Sequence, residues 1–104
     1  MTEFMKVALT SEIPEGTLKR IKVGNRQFVV AHTADGFYAV RDECTHEAVP
    51  LSDGGVDGNE IICAAHGARF DLKSGAVAAP PAIVPLETIE LKIEGDEIFV
   101  SLKQ

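Results

Sequence analysis

Cys44-Thr45-His46 and Cys63-Ala64-Ala65-His66 hold both cysteines of this chain and two of its three histidines, with sixteen residues between His46 and Cys63. Two thiolates and two imidazoles offer one soft and one borderline pair of donors, which is the chemistry of a transition-metal site. The short spacing inside each pair lets one loop supply both a sulfur and a nitrogen. The long interval leaves room for strands that bring the two loops tip to tip.

Working outward, Pro50-Leu51-Ser52 follows the first pair, and His66-Gly67-Ala68-Arg69-Phe70-Asp71 runs on from the second. Gly75 and Pro80-Pro81-Ala82 come next. This pattern resembles the Rieske family. Over nearly all of the 104 residues it is similar to the small ferredoxins of aromatic-ring-hydroxylating dioxygenase systems. One departure is Ala64-Ala65, where many relatives place a proline first; it touches loop rigidity and no ligand.

The resemblance implies one [2Fe-2S] cluster, with Cys44 and Cys63 on an inner iron and His46 and His66 on an outer iron through Nδ1. In such centres two histidines replace two cysteines on one of the two irons. It also implies a one-electron carrier, not an enzyme and without catalytic residues. The donor would be an NAD(P)H-dependent flavoprotein reductase and the acceptor a terminal oxygenase. Two ferric ions, two sulfides and two thiolates are formally neutral, so an added electron is held more easily than on a four-thiolate cluster. Donors to the sulfurs favour the reduced state further. High-potential relatives place a serine two residues and a tyrosine four residues after the second histidine, where this chain has Ala68 and Phe70. The expected potential therefore lies toward the low end of the Rieske range. Gly67 is expected to spare bulk beside the sulfurs and admit backbone N–H groups, and Pro80 and Pro81 to cover the cluster from the side.

Size and charge narrow the function further. A chain of this length is one domain, residues 1–104, too small to hold an oxygenase catalytic domain as well. No apolar run approaches a membrane span and the start lacks signal-peptide order, so a cytoplasmic monomer is expected. A formal charge of −6 disfavours nucleic acid, since the sequence has no basic stripe to replace counterions on phosphate. Asp42, Glu43, Glu47, Asp53 and Asp57 read either as an acidic collar that steers basic redox partners or as ordinary solvated loop charge. The positions matching the extra disulfide of membrane-complex Rieske proteins are Val49 and Ala65. The ligand loops must then be held by packing and hydrogen bonds.

Short β-rich runs between turn dipeptides predict an all-β fold of nine or ten strands, with an antiparallel β-sandwich base and a cluster-binding subdomain at about 42–85. A first strand is expected at 4–9, then a meander at 17–23, 27–32 and 37–41 turned by Gly24-Asn25 and Asp35-Gly36. Gly58-Asn59 turns the hairpin that delivers Glu60-Ile61-Ile62 into Cys63. In the closing hairpin Ile89, Leu91 and Ile93 share a face with Ile98, Val100 and Leu102. His32 reads as structural or surface, and Phe28, Phe37, Tyr38 and Phe99 as packing residues.

Two rivals remain. A structural zinc site can use Cys2His2, yet zinc fingers group two cysteines before two histidines and lack these flanks. A Rieske-bearing small subunit of a nitrite reductase-like complex would share the size and fold, and permanent association with a large chain would distinguish it.

Overall fold

The computed structural model describes residues 4–42, 51–64, 67–79 and 85–101. Ten strands lie among them: β1 (Met5–Leu9), β2 (Leu18–Val23), β3 (Arg26–Thr33), β4 (Gly36–Arg41), β5 (Gly55–Asp57), β6 (Glu60–Ile62), β7 (Arg69–Asp71), β8 (Val77–Ala79), β9 (Thr88–Glu94) and β10 (Glu97–Ser101). Short 3₁₀ turns at Thr10–Glu12 and Leu51–Asp53 are the only helical elements among the described residues. Six strands form one antiparallel sheet in the order β1-β10-β9-β4-β3-β2, and β5 to β8 form a second in sequence order.

Glycine sets the tight hairpins. Gly24, Gly58 and Gly95 each stand first in a two-residue turn with φ near +60°, and among the described residues no other residue type has positive φ. Glycine at that position is the mark of a type II′ turn, whose twist matches the flanking strands. The turn between β3 and β4 falls one residue earlier than the sequence suggested, on Ala34-Asp35, with Gly36 already paired to Thr33. Thr33 explains the shift, because its hydroxyl accepts the Asp35 N–H at 3.1 Å and fixes the turn there.

The six-stranded sheet is joined at its middle by the pairs Ala39–Ile89 and Val40–Thr88, with the Arg41 N–H donating to the Glu87 carbonyl beside them. Its two halves face each other across Ala8, Ile21, Phe28, Val30, Ala39, Ile98 and Val100, which makes the base a sandwich. In the last hairpin Ile98 lies opposite Ile93 and Val100 opposite Leu91, the expected shared face. Leu102 lies outside the described residues.

Strand β3 is buried on both faces: Phe28, Val29, Val30 and Ala31 are each 1% exposed or less. Phe28 and Val30 enter the sandwich core, whereas Val29 and Ala31 point to the other side. There they meet Val40, Leu51, Ile61, Cys63, Ala68, Phe70, Leu72 and Leu86. This second apolar cluster joins the four-stranded sheet to the base.

Polar ties reinforce the joint at its edge. Asn59 Nδ2 donates to Asp35 at 2.8 Å, and the Lys73 ammonium lies 2.9 Å from the same carboxylate. Lys73 first and Asn59 second hold the Asp35 carboxyl below its ordinary range. A depressed carboxyl stabilises the fold above its unfolded value, and that contribution is lost only as pH falls through the lower folded value.

Gly54, just before β5, lies closely against the backbone at the end of β6. A Cβ there would overlap the Ile62 carbonyl oxygen and lie 3.2 Å from the Ala64 N. The chain leaving the 3₁₀ turn Leu51–Asp53 is thereby laid directly on the strand that enters Cys63.

Two contrasts test this packing. Phe28→Ala should cost about 3–5 kcal/mol in denaturant unfolding, whereas Ile93→Thr, at a side chain 40% exposed, should stay within about 0.5 kcal/mol. Gly54→Ala should abolish assembly of the folded, metal-loaded protein, while Gly55→Ala, with nothing within 4 Å of its added Cβ, should leave yield and unfolding midpoint near the parent's.

Candidate metal centre

Of the four predicted ligands, Cys63 is placed by the described residues; Cys44, His46 and His66 lie outside them, as do Pro80 and Pro81. Accordingly, the described residues alone gather no group of three or more His, Cys, Asp and Glu side chains for a metal.

Cys63 follows β6 directly and is 1% exposed, outside any disulfide. Its N–H donates to the Ala68 carbonyl at 2.8 Å, and its carbonyl accepts the Gly67 N–H at 3.0 Å. Both backbone groups of Cys63 are thus used to close the loop between β6 and β7. Gly67 has φ +74° and open space where a Cβ would stand. Its glycine is required by backbone conformation, and its N–H serves the Cys63 carbonyl rather than a sulfur.

Around Cys63 the packing is apolar. Ala68 and Phe70 are both fully buried in the cluster that contains it, with Leu51, Leu72 and Leu86. Neither Ala68 nor Phe70 carries a hydroxyl, so the two positions singled out in the sequence contribute bulk and no hydrogen bond. On the outer side of the same hairpin, Arg69 Nη1 donates to Glu60 at 2.8 Å and Nη2 to Asp57 at 2.9 Å. These two carboxylates hold the Arg69 guanidinium charged by raising its already high pKa.

The loop expected to carry Cys44 and His46 spans residues 43–50, and both of its stems are described. Asp42, on the entering side, has a side chain with no exposure at all. Its Oδ1 accepts the Ser52 N–H at 2.7 Å. Its Oδ2 accepts the Ser52 hydroxyl at 2.9 Å and the Gln27 amide at 2.8 Å. Arg20 Nε lies 3.3 Å from Oδ2 and donates to Ser52 Oγ at 2.8 Å.

Asp42 therefore does not belong to an exposed acidic collar, because its carboxylate is buried beside the Arg20 guanidinium and is not on the surface that a partner would meet. Asp53 and Asp57 are exposed, and each faces an arginine, Arg20 and Arg69 respectively. Glu43 and Glu47 lie outside the described residues. No signal in the sequence distinguished Asp42 from its acidic neighbours, since its burial depends on β2, β3 and the turn after the loop.

His32 takes no part in the centre. Its Nδ1 donates to the Ile13 carbonyl at 2.7 Å, and its ring stacks on Phe37 at 3.9 Å. Phe99 lies on the outer face of the last hairpin, with the Lys92 ammonium 5.7 Å from its ring centroid. Among the described residues no helix is long and apolar enough to cross a membrane.

Residues 3–90 match the model of the Rieske [2Fe-2S] domain. The chain is 36% identical to the ferredoxin CarAc of Metapseudomonas resinovorans, with 94% of this chain and 92% of that protein covered. It is 32% identical to the ferredoxin component of biphenyl 2,3-dioxygenase from Rhodococcus jostii strain RHA1, over 94% and 92% of the two chains. Among solved structures it superposes with a TM-score of 0.88 and 36% identity on a chain of the complex of reduced oxygenase and oxidised ferredoxin in carbazole 1,9a-dioxygenase, covering 94% of this chain and 92% of that one. A cysteine buried at the base of a hairpin loop, a two-sheet antiparallel fold and these likenesses agree: the chain belongs to the Rieske [2Fe-2S] family, as a ferredoxin that transfers electrons with a single [2Fe-2S] cluster.

Proposed function

We propose that this ferredoxin carries single electrons from an NAD(P)H-dependent flavoprotein reductase to a terminal oxygenase, one that hydroxylates aromatic rings. Cys44, His46, Cys63 and His66 hold the cluster. The reading rests above all on Cys63, a cysteine buried in the apolar cluster that joins the two sheets. Near full-length similarity to ferredoxin components of dioxygenase systems supports the acceptor class.

The residues present fit the group. A soft, buried sulfur donor is supplied where the backbone groups of Cys63 close the turn against Ala68 and Gly67. When bound, the cluster supplies a one-electron couple. The chain's own part is to exclude water with Leu51, Phe70, Leu72 and Leu86, to hold Cys63 on a short hairpin, and to withhold hydroxyl donors at positions 68 and 70. His46 and His66 would present the exposed edge through which the partner is met. The protein acts as one domain, 1–104, with its cluster-binding part at about 42–85, because the apolar cluster around Cys63 is shared by both sheets. We assign it to the cytoplasm as a monomer that meets each partner in turn.

Anaerobically prepared, dithionite-reduced protein should give a rhombic EPR signal of low average g, and His46→Ala or His66→Ala should abolish it. A colourless product without iron or acid-labile sulfide would overturn the ligand assignment. The midpoint potential should fall toward the low end of the family's span of roughly −150 to +300 mV. Phe70→Tyr should raise it. A donor worth about 1 kcal/mol more to the reduced state adds roughly 40 mV, at about 59 mV per tenfold change for one electron. Stopped-flow mixing of the reduced protein with a ring-hydroxylating oxygenase should oxidise it; electron delivery solely to a tightly bound large subunit would point to a different role.

A further inference from the structure

We propose that Asp42 is a positioning residue for the metal centre: its buried carboxylate, gripped by Ser52 and Arg20, ties together the two ends of the loop bearing Cys44 and His46. The inference rests on those two residues being ligands.

Asp42 and Ser52 stand ten residues apart on either side of that loop, and two hydrogen bonds join them, one from the Ser52 N–H and one from its hydroxyl. The entering stem is anchored twice more. Asp42 N–H donates to the Gln27 carbonyl at 3.2 Å, and Arg41 N–H to the Glu87 carbonyl at 3.0 Å. The leaving stem is anchored through Gly54, which rests on the backbone at Ile62 and Ala64, on either side of Cys63. One carboxylate therefore connects the first loop to the strand that holds the cysteine of the second.

A carboxylate without solvent exposure carries a large desolvation cost unless its lone pairs are satisfied. Here Ser52, Gln27 and Arg20 satisfy them. Nothing about strand pairing alone calls for a charged group at this place, since an apolar residue would pack without that cost. Holding Asp42 and Ser52 together on either side of residues 43–50 does call for one, because the hydrogen bonds have direction as well as strength. Partners one step behind the ligands commonly set ligand orientation in this way.

The test compares Ser52→Ala and Asp42→Asn with Val100→Ala, a core change in the base sandwich outside the apolar cluster that contains Cys63. Ser52→Ala is the decisive variant because it removes the hydroxyl that bonds both Asp42 and Arg20, keeps the backbone N–H bond to Asp42, and leaves the charge beside the centre unaltered. Loss of absorbance to a ferrous chelator measures retention, and EPR g values of the reduced protein report ligand geometry. Ser52→Ala should release iron several-fold faster than the parent and Asp42→Asn about tenfold faster, both with shifted g values. Val100→Ala should lower the unfolding midpoint while keeping the parent's g values. Parent-like release and spectra in both clamp variants would overturn the proposal, as would an equal spectral change in Val100→Ala. A parent protein with no Rieske signal would instead sink the ligand assignment beneath it.

Discussion

Double-sided burial of β3 is the constraint on which the molecule depends. A strand in a two-layer sandwich normally spends one face on solvent, and its sequence alternates. The run Phe28-Val29-Val30-Ala31 does not alternate, because each residue has an apolar neighbour on its own side. Burial of such side chains is worth about 1.5–3 kcal/mol each. Phe28 and Val30 hold the base together, and Val29 and Ala31 hold the small sheet to the base. Without the second pair, three-residue strands such as β5 to β8 would have too little surface of their own to persist.

That arrangement also fixes the electrical character of the centre. Cys63 belongs to the same apolar cluster as Val29 and Ala31, so the thiol sits in the joint between the sheets rather than on an independent loop. In a region of low polarity every donor counts for more. Ala68 and Phe70 supply no hydroxyl there. The same side chains that make the joint stable would, on the proposed ligand set, bias the carrier toward giving its electron up.

The sequence disclosed what rests on rare residue types and on local period. The paired cysteines and histidines stand out because nothing else in the chain has that chemistry. The last hairpin was legible because Ile89, Leu91 and Ile93 alternate with charge and Gly95-Asp96 separates them from a matching run. Turn position at Ala34-Asp35 was off by one, since Thr33 acts through a hydroxyl bond that a dipeptide rule ignores. Asp42 was misread altogether. Whether an aspartate beside a ligand loop faces solvent depends on Gln27, Ser52 and Arg20, and those come from three separate segments. Gly54 was equally silent, because its need for a bare Cα arises from Ile62 on another strand.

Membrane-complex relatives staple their ligand loops with a disulfide, and this chain has no cysteine to spare for one. A covalent bridge acts mainly by restricting the unfolded chain; a buried carboxylate network acts only once the fold has formed around it. The difference matters for a carrier that must acquire its cluster after synthesis. The clamp is complete only where β2, β3 and the Leu51–Asp53 turn meet, because they supply Arg20, Gln27 and Ser52. A cysteine bridge in a reducing compartment would be broken by thiols, whereas Asp42, Ser52 and Arg20 hold at any thiol potential. The chain on either side of residues 43–50 is thus held by the same tertiary packing that gives the small ferredoxin its core.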